Sequence, residues 1–270
     1  MRSPASSCLL FAATVSCGGQ ELPSAVAKAP NCALAPVALE EPVQNTTNLR
    51  AQALESPVAG ALLSFATPQL GEHVSLAEPG SYRVQLLSDG LGPEVTGIEL
   101  ALDSGRPRRL PPSQSSVVLS ELLSEDVTLS PGSHWLFAAV VLASGLVPRP
   151  TPAEPRAARA VRFFVGTTAD EASGPSGAVW LRRPEGSYNG PKSSESVMFD
   201  AFVFSALGSP IEEPVTIGLQ SPKVNGQVRF ASPFLLYDVP SGVYELSASA
   251  RAGSTSTTHF TVNRELGGGP

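Results

Sequence analysis

The sequence predicts an all-β protein of two tandem sandwiches that follow a disordered N-terminal tether. Three observations predict this class. The 26 prolines and 24 glycines are spread along the 270 residues, so a long α-helix is hard to place. Short apolar runs recur between turn signals, which is typical of a β-sandwich. A stretch in each half aligns with the other without a gap, which indicates a repeated unit.

The composition supports folding and excludes one class of partner. Hydrophobic residues make up 42% and charged residues 16% of the chain, which is enough apolar side chain to build cores. The length fits two ordinary domains. The net charge of −6 argues against the concentrated basic surface that phosphate binding needs, so we expect no nucleic-acid partner.

Residues 1–16 are predicted to be a signal peptide. One basic residue, Arg2, precedes an apolar run over residues 8–15 and a short stretch of small residues. This is the layout of a secretory signal, and the apolar run is too short to span a membrane permanently. We therefore expect the mature chain to lie outside the cytoplasm.

The stretch TVSC, residues 14–17, resembles the lipobox of bacterial lipoproteins, in which small residues precede a diacylated cysteine. Thr14 stands where that family prefers leucine. The resemblance implies a lipid anchor on Cys17 that attaches the protein to the outer membrane. Two alternatives stay open. Ordinary cleavage before Cys17 would leave a periplasmic or secreted protein in which Cys17 can pair with Cys32, and an unprocessed cytoplasmic chain is the other.

Residues 17–57 form the predicted tether. They are rich in Ala, Pro and Glu and have no steady period, so they cannot bury enough surface to order themselves. A tether of this kind would hold a folded body away from a membrane. Cys32 lies within it and has no histidine nearby in the sequence, so we assign it no catalytic role.

Two predicted sandwiches follow, over residues 58–166 and 177–265. The polar residues 167–176 are the predicted linker between them, and residues 266–270 are a predicted disordered tail. Strands of the first unit are predicted at 73–76, 82–87, 95–102, 116–123, 135–142 and 160–165. Strands of the second are predicted at 178–181, 197–204, 215–219, 227–230, 234–237, 243–250 and 259–262.

The repeat is clearest where residues 130–141 align with residues 239–250. The matched positions are Pro131 with Pro240, Trp135 with Tyr244, and Phe137 with Leu246. Alternation along the second stretch predicts that Tyr244 and Leu246 face a core. In the first stretch the opposite face, which begins at His134 and Leu136, is also apolar. We expect the second unit or the tether to cover that face.

The stretch DVPSGVYEL, residues 238–246, resembles the corner that leads into strand F of immunoglobulin-like and fibronectin-like domains. The carrying residues are Asp238, Pro240, Gly242, Tyr244 and Leu246. Antibody domains have a cysteine at the position of Leu246, so no disulfide between sheets is expected here. The resemblance implies two immunoglobulin-like β-sandwich domains, and it implies that this corner is structural.

Two arginine-bearing loops of the first unit are the predicted partner-binding surface. The second loop lies where the connection between strands F and G of an immunoglobulin-like domain would be, and such folds use that place for binding. The candidates are Arg106, Arg108 and Arg109 in the first loop and Arg149, Arg156 and Arg159 in the second. The expected partner is an envelope protein or surface ligand that the sequence does not identify.

No metal site is predicted. The three histidines, His73, His134 and His259, lie in different predicted strands and form no short-spaced cluster with cysteine. Each is interpreted as an outward-facing strand residue.

No catalytic residue and no cofactor are predicted. In GSYNG, residues 186–190, Ser187 is not at the centre of a hydrolase elbow. Asp200 lies inside an apolar strand, and we interpret it as an outward position or a strand bend rather than as a reactive carboxylate.

The sequence thus favours a non-enzymatic cell-envelope lipoprotein that acts as a binding or structural module. The alternative is a secreted, unlipidated accessory or binding domain of a glycan-processing system.

Overall fold

The computed structural model describes residues 50–75, 82–123, 129–166, 177–191, 196–221, 225–230, 233–251 and 255–265. These residues form β-strands and one 3₁₀ helix, Leu119–Leu122, and contain no α-helix. The predicted all-β class is confirmed. The predicted signal peptide, Cys17, Cys32, the linker 167–176 and the tail 266–270 lie outside the described residues.

The first sandwich, unit 1, has a three-stranded and a five-stranded sheet. Strand β1 (Arg50–Ala53) precedes it in the chain. The strands of unit 1 are β2 (Leu62–Thr67), β3 (His73–Val74), β4 (Arg83–Asp89), β5 (Val95–Leu102), β6 (Arg108–Leu110), β7 (Ser116–Val118), β8 (Gly132–Leu142) and β9 (Ala158–Val165). Their order is β2-β4-β7 in one sheet and β3-β9-β8-β5-β6 in the other.

The second sandwich, unit 2, repeats this arrangement. Its strands are β10 (Ala178–Arg183), β11 (Gly186–Pro191), β12 (Val197–Phe204), β13 (Pro210–Ile211), β14 (Val215–Gln220), β15 (Asn225–Phe230), β16 (Phe234–Tyr237), β17 (Gly242–Ser249) and β18 (Ser256–Glu265). One sheet has the order β1-β16-β12-β10, with β13 beside β12, and the other has the order β11-β18-β17-β14-β15.

Both units have the same connectivity. In each one the second strand pairs in parallel with the last, β3 with β9 and β11 with β18, and the remaining strand pairs are antiparallel. Two packed sheets with this order are the architecture of an immunoglobulin-like sandwich. The predicted repeat therefore corresponds to two copies of one fold.

The predicted tether is wrong at its C-terminal end. Strand β1 pairs antiparallel with β16 of unit 2, and Leu54 N then donates to Pro233 O over 2.9 Å. Farther along, Ala59 N donates to Arg149 O of unit 1 over 2.8 Å. The residues of β1, RAQA, are alanines and polar residues and show no strand pattern in the sequence. They pair as a strand because the edge of β16 is open to them. The described chain thus begins in unit 2 and crosses to unit 1.

The gapless alignment of the two F strands, β8 and β17, is wrong by one residue. Tyr244 Oη donates to Pro240 O over 2.7 Å, and His134 Nε2 lies 2.8 Å from Ser130 O. Each ring bonds to the carbonyl group four residues earlier, and each packs on a phenylalanine of the next strand. The structural equivalents of Pro240, Tyr244 and Leu246 are therefore Ser130, His134 and Leu136, and not Pro131, Trp135 and Phe137.

The shift matters because neighbouring residues of a strand face opposite sides of the sheet. His134 and Leu136 point into unit 1, and Trp135 and Phe137 point out of it toward unit 2. Unit 2 does cover an apolar face of β8, as expected, but it covers the opposite one. A strand that is apolar on both faces gives the sequence no means of telling them apart.

Candidate functional site

The contact surface between unit 1 and unit 2, which we call the seam, contains a stack of aromatic rings. Phe137 of β8 lies between Trp180 of β10 and Phe204 of β12, with ring centroids 5.5 Å apart in both cases. Trp135 extends the stack with its ring centroid 6.3 Å from that of Phe137, and Phe202 extends it with its centroid 5.7 Å from that of Trp180. The hydrophobic core of unit 1 therefore continues into the outer face of β10 and β12.

A row of alternating charges, which we call the charge ladder, also crosses the seam. Its members, in order, are Arg106, Glu185, Arg183, Glu99, Arg182, Asp200 and Arg156. Arg106, Glu99 and Arg156 belong to unit 1, and the other members to unit 2. The ladder starts at an exposed arginine, since the Arg106 side chain is 77% exposed, and passes into the protein interior.

The centre of the ladder is sealed from solvent. Arg182 and Asp200 are both 0% exposed, and Glu99 is 3% exposed. Arg182 Nε lies 2.8 Å from Asp200 Oδ2, and its Nη1 lies 2.9 Å from Glu99 Oε2. Arg182 Nη2 also donates to Gly145 O over 2.6 Å. One guanidinium thus holds carboxylates from both units at once.

Arg156 closes the inner end of the ladder. It donates to Asp200 Oδ1 and, over 2.8 Å, to Ala201 O. Its Cζ lies 3.7 Å from the centroid of the Phe202 ring, a cation–π contact. Arg156 was predicted to be a partner-binding loop residue, and this is wrong. It is 8% exposed, and its guanidinium group is already bonded inside the protein.

The interpretation of Asp200 as an outward position holds for its own sandwich, yet the side chain is 0% exposed. Asp200 points out of its own sandwich, but unit 1 buries it. Burial raises the pKa of this carboxyl, but the charges and hydrogen bonds of Arg156 and Arg182 outweigh burial and hold its pKa below the usual value. A carboxylate held ionised between two guanidiniums has no proton to donate near neutral pH, which favours Asp200 as a structural anion over a catalytic acid.

A turn of unit 2 docks on the edge of β9 and completes the seam. Ala160 N donates to Gly208 O over 2.9 Å. Gly208 has φ +75°, and a Cβ at this position would lie 1.8 Å from Ala160 O. Only glycine permits this approach.

A cleft of about 260 Å³ opens between the two units beside Arg156. Its walls include Arg149, Pro155, Phe202 and Ile211, and an ion pair between Arg149 and Glu212 bridges the two units at this place. Ligand pockets usually measure roughly 300–1,000 Å³. The cleft is thus smaller than a typical ligand pocket.

The other predicted arginines are not brought together as one surface. Arg108 pairs with Glu121 over 2.6 Å, Arg109 bonds to Thr96 Oγ1, and Arg159 Nη1 donates to Ala158 O over 2.9 Å. Arg108 and Arg109 lie in β6 and Arg159 lies in β9, not in loops. Nothing in the short basic run that contains Arg108 and Arg109 indicates a strand, so β6 was not predicted from the sequence.

His134 is buried, and its interpretation as an outward residue is wrong; His73 and His259 are exposed. His134 Nδ1 lies 2.7 Å from Asp103 Oδ2. Burial lowers the pKa of His134, but the bonds to Asp103 and Ser130 O together raise it above 6.5. The pair looks like a catalytic dyad, yet Nε2 is committed to Ser130 O and has no nucleophile to activate.

The predicted corner of unit 2 has the left-handed residue that such a turn requires. Asp238 has φ +58°, a conformation that aspartate tolerates better than most residues.

Within the described ranges, no group of three or more His, Cys, Asp or Glu side chains is placed to hold a metal ion. No helix in this part of the chain is long and apolar enough to cross a membrane.

No protein-family model matches the sequence, and no curated protein is significantly similar to it. Solved structures give distant matches. The fibronectin(III)-like modules of Clostridium thermocellum CbhA are 12% identical over 77% of this chain and 98% of theirs, with a TM-score of 0.26. The D00-D0 domain of intimin is 11% identical over 74% and 97%, with a TM-score of 0.25. Drosophila N-cadherin EC1-3 is 14% identical over 75% and 67%, with a TM-score of 0.27.

Proposed function

We propose that this chain is a non-enzymatic cell-envelope lipoprotein whose two sandwiches act as one rigid binding or structural module. The observation that carries the proposal is the charge ladder. Interfaces between domains of one chain are usually polar and permit relative motion. Here a buried ionic row and an aromatic stack lie side by side, and separating the two units would take Glu99 away from Arg182 and Arg156 away from Asp200.

The seam resists opening. Opening the seam would return the rings of the aromatic stack to water, which costs roughly 1.5–3 kcal/mol for each fully exposed side chain. Opening the seam would separate Glu99 from both Arg182 and Arg183 and would also expose the ring stack. A hinge between the units is therefore too costly to operate in the resting protein. A module that keeps its shape suits a spacer or a binding platform better than an enzyme whose domains must move relative to one another.

Anchoring through Cys17 is the second part of the proposal and rests on the lipobox-like stretch. A diacylated cysteine would attach the rigid body to the outer membrane through its N-terminal segment. The unlipidated alternative differs from it in one measurable property, which is membrane association. The partner, under both readings, is an envelope protein or surface ligand.

Fractionation of a bacterial host tests the anchor. We expect the wild-type chain to enter the detergent phase and to incorporate labelled fatty acid, and we expect Cys17→Ser to lose both properties. Cys32→Ser is the matched control and should behave as the wild type does. Equal membrane association of the Cys17→Ser variant would contradict lipidation, and a wild-type chain found only in the soluble extracytoplasmic fraction would favour the secreted alternative.

Spin labels on the two units test the rigid body. One label on each unit should give a single narrow distance distribution between the labels in double electron–electron resonance. A broad or bimodal distribution in the wild type would contradict a rigid module, whatever the outcome of fractionation.

A further inference from the structure

A second cleft lies between β2, β9 and a turn of unit 2, and we call it the β2–β9 cleft. Its volume is about 550 Å³, which lies within the range of roughly 300–1,000 Å³ that is usual for ligand sites. Strand β3 pairs only with Phe164 and Val165 of β9, and β2 is the outer strand of its sheet. In the described part of the chain, no strand covers the rest of β9 on this side. Unit 1 is therefore open between β2 and β9.

The walls of the β2–β9 cleft are mostly apolar. The side chains that unit 1 contributes to them include Phe65, Ala66, Pro68, Leu70 and Val161. Leu207 completes the walls from unit 2, in the turn that docks on β9 through Gly208. Leu70 and Leu207 are exposed. Exposed apolar side chains around a cleft indicate a binding surface.

One cation lies among these apolar walls. Arg159 lines the cleft and is half-buried. Its neighbour in β9, Val161, pairs with Leu136 of β8, which points into unit 1. Because residues two apart in a strand share a face, Arg159 lies on the face of β9 that is turned to the interior. A charged residue in such a position is unusual unless it is paired.

Arg159 has no carboxylate partner among the described residues. Its Nη1 donates to Ala158 O over 2.9 Å, and it takes part in no ion pair there. The buried arginines of the seam differ in this respect, since Arg156 and Arg182 both hold the carboxylate of Asp200. The other N–H groups of the Arg159 guanidinium are thus left for a ligand.

The walls themselves supply no negative charge to this arginine. No aspartate or glutamate of the described chain lines the cleft. Glu72 follows one wall in the sequence, but its carboxylate is already bonded to Tyr82 Oη and to Gln69 N, over 2.7 Å in each case. A cation without a counter-charge beside apolar surface is complementary to an anion that carries an apolar body.

We propose that the β2–β9 cleft binds a small apolar carboxylate, a molecule with one anionic head group and an apolar body. The head group accepts hydrogen bonds from Arg159, and the body lies against Leu70 and Leu207. The inference rests on the binding role proposed above and gives that role a site and a class of ligand. It does not depend on lipidation of Cys17.

Sodium octanoate is the probe for the first test, with octylammonium as a cation of similar length. In an NMR titration of the full chain, we expect saturable octanoate binding with a dissociation constant of about 1 mM or below. The backbone amide shifts of Ser64, Leu70, Arg159 and Leu207 should change. Octylammonium should bind at least about tenfold more weakly, because like charges repel.

Three outcomes of this titration would overturn the proposal. Equal binding of octanoate and octylammonium would mean an apolar surface without charge selection. Shift changes centred outside the cleft would mean a different site. A titration without saturable binding would mean that the cleft takes no such ligand.

Arg159→Gln tests the head-group contact. It should weaken octanoate binding at least about tenfold, the effect of losing a hydrogen bond to a charged group. Arg162→Gln is the matched control, because Arg162 lies on the other face of β9 and donates to Ser133 Oγ over 2.6 Å. It should bind octanoate as the wild type does. Equal effects of the two variants would contradict a contact with Arg159.

Leu207→Ser tests the apolar wall. It should weaken octanoate binding about threefold, because part of the apolar contact is lost, and octylammonium should still bind more weakly than octanoate. Leu87→Ser is the control, since Leu87 is also exposed but lies outside the cleft. Unchanged binding by Leu207→Ser would contradict the proposed contact. Should Arg159→Gln not fold, this pair and the wild-type titration decide.

The outcome is separable from that of the proposed function. Fractionation and spin-label distances are measured without octanoate, so failure to bind it leaves the lipid anchor and the rigid module standing. A chain that binds octanoate at the cleft but gives a broad distance distribution would reject the rigid module and retain the site.

Discussion

His134 and Tyr244 occupy the same position in the two sandwiches, and each closes the corner before strand F with a hydrogen bond to the carbonyl group four residues earlier. The chemistry differs. Tyr244 bonds through a hydroxyl, whereas His134 also bonds to Asp103 through its second nitrogen. Both partners of His134 are acceptors, so they favour the doubly protonated ring. The corner of unit 1 is therefore sensitive to pH.

We expect the stability of the protein to fall as the pH rises above 6.5, the ordinary pKa of histidine. The folded state raises the pKa of His134, so the stabilisation is complete below the unfolded value and is lost as the pH passes the folded one. His134→Tyr should remove this dependence. Denaturant titrations at a series of pH values check it, with the exposed His259→Gln as control. A pH profile that survives in His134→Tyr would assign the dependence to another group.

Loss of the hydroxyl in Tyr244→Phe should destabilise the protein by about 1 kcal/mol, because it removes one partly buried hydrogen bond to Pro240 O. Tyr237→Phe is the matched control. Its hydroxyl donates to Gln52 Oε1 at an exposed site, where water can replace it. Equal effects of the two variants on the denaturation midpoint would contradict a special role for the corner.

Asp200→Asn should destabilise the protein by about 3–5 kcal/mol, because Arg156 and Arg182 keep their charges in a site without solvent. Glu212→Gln removes the partner of Arg149 at a partly exposed pair and should cost at most about 1 kcal/mol. Equilibrium unfolding measures both. If Asp200→Asn lowers the free energy of unfolding by less than Glu212→Gln does, the seam does not contribute to stability.

Acid should act on the same group. The pKa of Asp200 lies below 3.8 in the folded protein, so its contribution is present at neutral pH and is lost only as the pH falls through that lowered value. The wild type should lose more stability between neutral pH and strong acid than Asp200→Asn does. Parallel acid-denaturation curves for the two proteins would contradict this.

Gly208→Ala should open the seam. The new methyl group would lie 1.8 Å from Ala160 O, and alanine is strained at a positive φ. Gly71→Ala is a matched control, since Gly71 has φ +78° and no atom within 4 Å of the added Cβ. We expect a cost for Gly208→Ala about 1–3 kcal/mol above that of the control, as overpacking predicts, together with a broader distance distribution between the units. Equal effects would mean that strain alone acts.

Strand positions were predictable wherever apolar and polar residues alternate or where apolar runs are bounded by turns. The runs that became β5, β12 and β18 are examples. Strand β1 was not predictable, because its alanines and polar residues pair only through the edge that β16 offers. Nor was the site: Glu99 and Arg182 are far apart in sequence, and no local pattern connects them.

The sequence by itself determined the all-β class and the repetition of one sandwich, because alternation, turn residues and repeated stretches are local properties of the chain. Only the tertiary structure decided which face of β8 is the core, which arginines are buried, and that Asp200 is an anion held between two units. These depend on long-range packing, in which a one-residue change of register exchanges the two faces of a strand. Apolar residues on both faces of β8 leave that choice to the unit that covers it.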